Sequence, residues 1–244
     1  MTLAYDGTDF AGWQVQPDQT TVQGLVGEAC ARILGEVVKV TGASRTDAGV
    51  HALRQVASLV TTSTLEPARL ARGLNAVLPE SVRVLEAAQA PAGFDARRSA
   101  LGKRYLYVID GRRVAHPMWR RFAWHPRFPL DVSRMRAATD ALRGKHDFSA
   151  FCAAPGRGRT PTCTVCSIRL VSRGDQLGVL ISADSFLHHM VRNIVGSLVE
   201  IGRGARAPGW LGELLAGRDR TRSGPTAPPQ GLFLVRVRYG GLMR

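Results

Sequence analysis

Two strand patterns and then one long helix pattern occupy residues 165–201, VCSIRLVSRGDQLGVLISADSFLHHMVRNIVGSLVEI. Residues 165–171 and 177–183 are rich in β-branched and other apolar side chains, and residues 186–201 repeat apolar side chains at helical intervals. A doubly wound parallel sheet needs strands and helices to alternate strictly. The stretch therefore favours an α+β fold with mostly antiparallel sheets.

The rest of the chain continues this mixed pattern of helices and strands. We expect helices at 22–33, 67–78, 132–142 and 210–215, and strands at 37–40, 55–61, 82–85, 103–109 and 232–239. Thr20 and Gln23 have capping-box spacing at the start of the first helix, and Gly35 is placed to end it. A flexible basic loop is expected at 155–161, where phosphate contact and simple solvation are both open interpretations.

Charge divides the chain into two parts. Residues 1–90 carry seven basic and nine acidic side chains, whereas residues 91–244 carry 26 and 10. We place a domain boundary near this step, with an N-terminal α+β domain at 1–97 that carries the Asp47 loop and a basic C-terminal α+β domain at 98–244. Three of the 33 basic residues are lysines, and arginine suits bidentate contacts to phosphate. The net charge of +14 indicates a nucleic-acid partner, although codon bias or a thermophilic source would also explain it.

Composition also excludes several classes of protein. The chain is 45% hydrophobic and 21% charged, which is typical of globular domains and not of disordered chains. No apolar run approaches the roughly 18 residues of a membrane span, and no secretory leader pattern is present. Four cysteines are too few for a disulfide scaffold. We therefore expect a cytoplasmic protein with no membrane association.

Three side chains are candidates for a functional site on the sequence alone. Asp47 lies in the Gly-containing loop 41–49, where a turn residue that accepts backbone N–H bonds is the alternative interpretation. Arg192 lies about 60° beyond the edge of the apolar stripe of its helix, so we expect a half-buried guanidinium that needs an anionic partner or extends to solvent. Tyr105 shares a strand face with Tyr107, which suits base stacking or core packing.

A zinc site is a weaker possibility. Cys163 and Cys166 have zinc-ligand spacing, and His188 with His189 could complete the set of ligands. The cysteines fall within an expected strand, and adjacent helical histidines diverge by about 100°, so the pattern does not favour a common ion. We expect no metal and no cofactor.

Eight segments of the chain together resemble the tRNA pseudouridine synthase A family. The most specific are RTDAGVHA at 45–52 and FLHHMVRNIVG at 186–196. Agreement with the family pattern extends over residues 5–14, 21–24, 45–52, 75–79, 94–107, 144–148, 186–196 and 227–239. Ser44 stands where the family usually has glycine, and Asp95 where it usually has histidine.

The resemblance implies an enzyme that isomerises uridine to pseudouridine at positions 38, 39 and 40 of the tRNA anticodon stem-loop, as a homodimer without metal or small-molecule cofactor. It implies two similar α+β halves, the pseudouridine synthase fold, with the active cleft between them. Asp47 matches the catalytic aspartate and Arg45 an arginine that fills the space of the flipped nucleotide. Tyr105 matches a tyrosine that stacks on the target base, and Arg192 a basic residue that pairs with the aspartate.

Two other functions stay open at this point. A non-catalytic RNA-binding protein of the same fold would bind tRNA and form no product. A metal-dependent hydrolase that uses Asp47, His51 and the cysteines would lose its activity in a chelator.

Overall fold

The computed structural model describes residues 1–153 and 160–240, and this part of the chain forms nine strands and five α-helices. In chain order they are β1 (Thr2–Tyr5), α1 (Val22–Leu34), β2 (Thr41–Gly42), β3 (His51–Ser58), α2 (Pro67–Val77), β4 (Val82–Glu86), β5 (Gly102–Asp110), α3 (Val132–Ala138), β6 (Gly144–Asp147), β7 (Thr162–Arg173), β8 (Gln176–Ala183), α4 (Met190–Gly202), α5 (Trp210–Gly217) and β9 (Leu232–Arg238). The basic loop expected at 155–161 lies outside the described residues from 155 to 159.

The chain forms two compact units. The first contains Met1–Leu101 and the chain from Phe233 onward, and the second contains Gly102–Leu232. The domains expected at 1–97 and 98–244 stay a prediction, and the compact units differ from them at the C-terminus. The difference has a physical cause, because β9 pairs with β3 of the first unit.

The first unit has a sheet with strand order β4-β1-β3-β9, and β2 pairs with the far end of β3. The pairs β1–β3, β1–β4 and β2–β3 are antiparallel, whereas β3 and β9 run parallel, with His51 opposite Phe233. Helix α1 buries Val22, Val26, Ala29 and Cys30, and α2 contacts both α1 and β4. The helices thus cover an apolar core that includes Leu3 and Leu74.

The second unit has a fully antiparallel sheet with strand order β5-β8-β7-β6. Strands β7 and β8 form a hairpin whose turn begins at Gly174, with φ at 56°. Helix α4 is buried over most of its length and contacts α3, while α5 packs near the 3₁₀ turn Thr139–Leu142. The expected α+β class with mostly antiparallel sheets is confirmed.

Several boundaries differ from the expected ones near α1. The N-cap of this helix is Thr21 and not Thr20: its hydroxyl oxygen accepts the N–H of Gly24 at 3.2 Å. The strand expected at 37–40 is not formed, since Val37 is 94% exposed and the Val40 carbonyl accepts from Gln23 Nε2 at 2.7 Å. Pairing with β3 begins only at Thr41.

Other differences occur at helix ends. The helix expected from 186 begins at Met190 because His189 has φ at 59°, outside the range of a right-handed helix. The helix expected over 132–142 ends at Ala138 and continues as a 3₁₀ turn. In residues 1–153 and 160–240, no helix has the length and apolar character needed to cross a membrane.

Candidate active site

Asp47 lies in the loop between β2 and β3 of the first unit. The loop turns back on itself where Val50 N–H donates to the Asp47 carbonyl at 3.1 Å. Arg45 is exposed and Asp47 is half-buried, so both side chains can be reached from outside the unit. The structure thus places two of the four expected site residues in one short loop.

A buried network of side chains fixes the loop from the sheet side. Gln55, fully buried on β3, donates to the Ser44 carbonyl at 2.7 Å and accepts the Ser44 N–H at 3.2 Å. The Tyr5 hydroxyl of β1 bonds the Thr46 hydroxyl at 2.8 Å. Residues 44 and 46, on either side of Arg45, are therefore tied to two neighbouring strands.

The segment between β1 and α1 fixes the loop from the other side. Trp13 N–H donates to the Thr46 carbonyl at 3.0 Å, and Gly49 N–H donates to the Phe10 carbonyl at 3.3 Å. Gly12 has φ at +98°, and a Cβ there would lie 2.7 Å from the Thr46 carbonyl oxygen. Only glycine satisfies both requirements. The motif at residues 5–14 is thus a support for the Asp47 loop.

His51, four residues after Asp47, faces the interior of the first unit. Its ring is 1% exposed and stacks on Phe233 with 4.7 Å between ring centroids. Nδ1 accepts the N–H of Gly7 at 3.0 Å and lies 3.2 Å from Asp6 Oδ1. These contacts give His51 a structural role at the end of the loop, and they differ from those of the exposed metal ligand that a hydrolase would need.

Tyr105 and Tyr107 occupy one face of β5 in the second unit, as the alternation predicts. Tyr105 is 6% exposed and meets Phe186 edge to face, with ring centroids 4.9 Å apart. Tyr107 is fully buried and donates its hydroxyl to the Pro228 carbonyl at 2.7 Å. Burial raises the pKa of the Tyr107 phenol, and the positive charge of Arg192 opposes that shift. Tyr107 is thus part of the core.

Arg192 lies in the first turn of α4 and is half-buried, as the sequence predicts. Its Nε donates to the Ala227 carbonyl at 2.8 Å, and Ala227 N–H donates back to the Arg192 carbonyl at 3.1 Å. The Ala227 carbonyl, on the segment before β9, therefore accepts one guanidinium N–H and orients the plane of the guanidinium. Arg192 and Tyr105 both belong to the second unit, whereas Arg45 and Asp47 belong to the first.

Asn193 is a buried polar residue that the sequence analysis missed. Its Nδ2 donates to the Phe151 carbonyl at 2.8 Å, and its Oδ1 accepts from Arg220 at 3.0 Å and Thr226 at 2.7 Å. An asparagine directly before the apolar pair Ile194-Val195, within a mostly apolar helix pattern, was the signal available. Asn193 holds residues 220–226 against α4, next to Arg192.

A close backbone approach completes this attachment. Gly196 of α4 faces the carbonyl of Pro225, and a Cβ on Gly196 would overlap that oxygen. Gly224 N–H donates to the Ser197 hydroxyl at 3.0 Å. The glycine in the FLHHMVRNIVG block thus lets the chain at 224–227 lie directly on the helix.

The two cysteines of the zinc hypothesis do not form a chelating pair. Cys163 is buried and its Sγ lies 3.3 Å from the Ser185 hydroxyl, whereas Cys166 is exposed. The two side chains thus differ in exposure, within a part of β7 whose register with β8 shifts between Val165 and Ser167. His188 and His189 precede α4, and their ring centroids lie 3.9 Å apart with the rings tilted by 31°, so the expectation that adjacent helical histidines diverge was wrong. The spacing therefore reflects strand β7 and not a zinc knuckle.

Similarity to known proteins extends over both units. A profile of the tRNA pseudouridine synthase family matches residues 1–97 and 138–240. The tRNA pseudouridine synthase A of Myxococcus xanthus is 43% identical over 240 residues, covering 98% of this chain and 91% of the relative. That of Thiobacillus denitrificans is 46% identical over 238 residues, 97% of this chain and 91% of the relative. That of Brevibacillus brevis is 45% identical over 237 residues, 97% of each chain.

Among solved structures, a chain of a Cbf5-Nop10-Gar1 complex aligns with a TM-score of 0.37 and 10% identity, covering 96% of this chain and 57% of that chain. That likeness is too low to add to the argument. The matches to the synthases include residues of both units, so the chain as a whole is related to them. It belongs to the tRNA pseudouridine synthase family.

Proposed function

We propose that this protein isomerises uridine to pseudouridine in tRNA. One observation carries the proposal: the family similarity spans 97–98% of the chain and includes the Asp47 loop, which both neighbouring segments hold in place. The relatives give no support to a non-catalytic RNA binder. We further propose the target positions 38, 39 and 40 of the anticodon stem-loop, a homodimer, a cytoplasmic location, and catalysis without metal or cofactor.

The reaction requires the enzyme to hold a detached base. The N1–C1′ bond of uridine breaks, the uracil rotates, and a C5–C1′ bond forms with loss of the hydrogen on C5. The target nucleotide must leave its stack for this chemistry. We assign to Asp47 the carboxylate that attacks C1′, attacks C6 or accepts a sugar proton. All three roles require the ionised form.

Three further roles follow from the family resemblance. We propose that Tyr105 stacks on the uracil and that Arg45 fills the space that the flipped nucleotide leaves. We propose that the positive charge of Arg192 favours the ionised form of Asp47. Two observations support the assignments to Arg45 and Arg192. Arg45 is exposed in the same fixed loop as Asp47, and Arg192 is oriented through the Nε bond to Ala227.

Release of tritium from tRNA transcripts labelled at uridine C5 tests the proposal. The wild-type protein should release tritium in the presence of EDTA, and Asp47→Asn should release less than about a thousandth as much. Asp18→Asn is the matched control, because Asp18 is exposed in the same unit and lies outside the loop. Transcripts with cytidine at 38, 39 or 40 assign the positions, and light scattering assigns the oligomeric state.

Three outcomes would contradict the proposal. Tight tRNA binding by the wild type without tritium release indicates the RNA-binding alternative. Activity that EDTA abolishes indicates metal-dependent chemistry. Full activity in Asp47→Asn removes Asp47 from the reaction.

A further inference from the structure

The loop at residues 111–121, which follows β5 in the second unit, carries a group of exposed apolar and basic side chains. Val114 is 77% exposed, Met118 73% and Trp119 37%. The same eleven residues include four arginines and no acidic residue. Solvation of so much apolar surface on one short loop is unfavourable, and such surfaces are typical of binding sites.

Both ends of the 111–121 loop are fixed. Asp110, 2% exposed at the end of β5, accepts from the Arg112 backbone and guanidinium at 3.3 and 3.2 Å and from His116 N–H at 3.4 Å. Beyond the loop, the backbone N–H of Trp124 donates to the Val108 carbonyl at 3.0 Å, and the Trp124 carbonyl accepts the Asp110 N–H at 2.8 Å. The exposed side chains therefore project from an anchored base.

The tip of the loop is itself ordered by local hydrogen bonds. Pro117–Trp119 form a 3₁₀ turn, with His116 Nδ1 accepting the Met118 N–H at 3.2 Å and the His116 carbonyl accepting the Trp119 N–H at 3.0 Å. Pro117 fixes its own φ, which lowers the entropy lost on binding. Trp119 is thus presented in one backbone conformation.

Charge decides what this surface binds. Arg113 and Arg120 are exposed on either side of the turn, and residues 111–130 contain no carboxylate to balance them. A second copy docked on the same loop would bring arginine against arginine, which is unfavourable. Nucleic acid offers phosphates to the arginines and base faces to the tryptophan.

We propose that the 111–121 loop is an RNA-contact surface, on which Trp119 stacks against an unpaired base while Arg113 and Arg120 contact phosphates. The proposal rests on the proposed function for its ligand, tRNA. The family profile matches residues 1–97 and 138–240, so the loop lies in the stretch between the two matched parts.

Binding of an unmodified tRNA transcript, measured at several salt concentrations, tests the surface. Arg113→Ala with Arg120→Ala should weaken binding and lower the slope of log Kd against log salt by about 1 for each lost phosphate contact. Trp119→Leu should weaken binding about tenfold because it keeps apolar area but loses the aromatic face, and Trp119→Phe should stay close to wild type. Arg72→Ala, an exposed arginine on α2, is the control.

Turnover separates this surface from the catalytic machinery. The loop variants should raise KM for tRNA and leave kcat within about twofold. Affinity and salt slope equal to those of Arg72→Ala would overturn the proposal. The proposal would also be overturned if Trp119→Leu kept its affinity for RNA but changed its molar mass in light scattering. That result would show that the loop mediates contact between copies of the chain. The binding measurement needs no turnover, so absence of tritium release in the wild type would refute the proposed function alone.

Discussion

Gln55 satisfies both backbone groups of Ser44, donating to its carbonyl at 2.7 Å and accepting its N–H at 3.2 Å. Ser44 lies just beyond β2, where strand pairing has ended. The Gln55 side-chain amide therefore provides the hydrogen bonds that a neighbouring strand would otherwise provide. Ser44 is not among the four non-glycine residues with positive φ in the described part of the chain. A serine therefore fits at this position without backbone strain, although the family usually has glycine there.

Replacing Gln55 by alanine should destabilise the protein by about 2–4 kcal/mol. The change removes the amide that bonds the buried N–H and the buried carbonyl of Ser44, and each lost bond to a buried polar group costs about 1–3 kcal/mol. Urea denaturation measures the loss. Gln16→Ala is the control, since exposed Gln16 also donates to a backbone carbonyl, that of Ala11, and its loss should cost less than about 0.5 kcal/mol. Equal effects of the two changes would contradict a special role for Gln55.

Removing the Tyr5 hydroxyl should lower kcat strongly while lowering the free energy of unfolding only slightly. Tyr5→Phe keeps the ring but loses the bond to the Thr46 hydroxyl, so the Asp47 loop gains freedom. We expect kcat for pseudouridine formation to fall about tenfold, with KM for tRNA unchanged. The free energy of unfolding should fall by about 1 kcal/mol, the value of one hydrogen bond.

Tyr239→Phe provides the matched comparison for Tyr5→Phe. The Tyr239 hydroxyl donates to the Ala96 carbonyl at 2.6 Å in the same unit, at a position outside the Asp47 loop. This variant should lose a similar free energy of unfolding and keep its kcat. A tenfold fall in kcat for both variants would show that Tyr5 acts through general stability and does not position the loop.

Two glycine-to-alanine changes in helices should have opposite signs. In Gly196→Ala the new methyl group overlaps the Pro225 carbonyl, so the chain at 224–227 must move away from α4, and we expect a loss of about 3 kcal/mol. In Gly27→Ala of α1, no atom lies within 4 Å of the new methyl group, and we expect a gain of about 0.4–1 kcal/mol. Thermal and urea denaturation of both variants check the signs.

Asp95 should contribute to stability above its ordinary pKa of 3.8 and lose that contribution in acid. The backbone N–H of Arg98 donates to its carboxylate and lowers the pKa, partial burial opposes this, and the N–H of Arg97 lowers it further. Because the folded pKa lies below the unfolded one, stability falls as pH drops from about 5 through the folded pKa.

Asp95→Asn keeps an oxygen acceptor and removes the charge, so its Tm should fall less than that of the wild type between pH 5 and pH 3. Glu28→Gln, at an exposed position of α1, serves as the control and should follow the wild-type curve. Parallel curves of Tm against pH for the wild type and Asp95→Asn over this range would show that ionisation of Asp95 does not contribute to the acid loss of stability.

Most of the fold could be predicted because strands and helices of this chain have clear apolar periods. Prediction failed where a single local contact decided the outcome. Residues 37–40 look like a strand in composition, but the Gln23 side chain takes the carbonyl of Val40. The helix pattern at 186–201 extends to residue 186, but the positive φ of His189 delays the start of α4. Neither contact leaves a periodic signal.

For the candidate site, the sequence predicted charged and aromatic residues whose roles stay predictions, and it missed the residues that hydrogen-bond to the segments around them. Half-burial of Arg192 followed from its angle on the helix. Its partner, the Ala227 carbonyl, could not be predicted, because a backbone group 35 residues away has no side-chain signature. Asn193 and Gln55 act through buried hydrogen bonds, which depend on tertiary structure.

The parallel pairing of β9 with β3 has a consequence for synthesis of the protein. His51 stacks on Phe233, the residue that begins the returning part of the first unit. During translation, every residue of the second unit is polymerised before Phe233 leaves the ribosome. The Asp47 loop therefore precedes its last supporting strand by more than 180 positions, and the nascent chain carries an open sheet edge along β3 for most of its elongation.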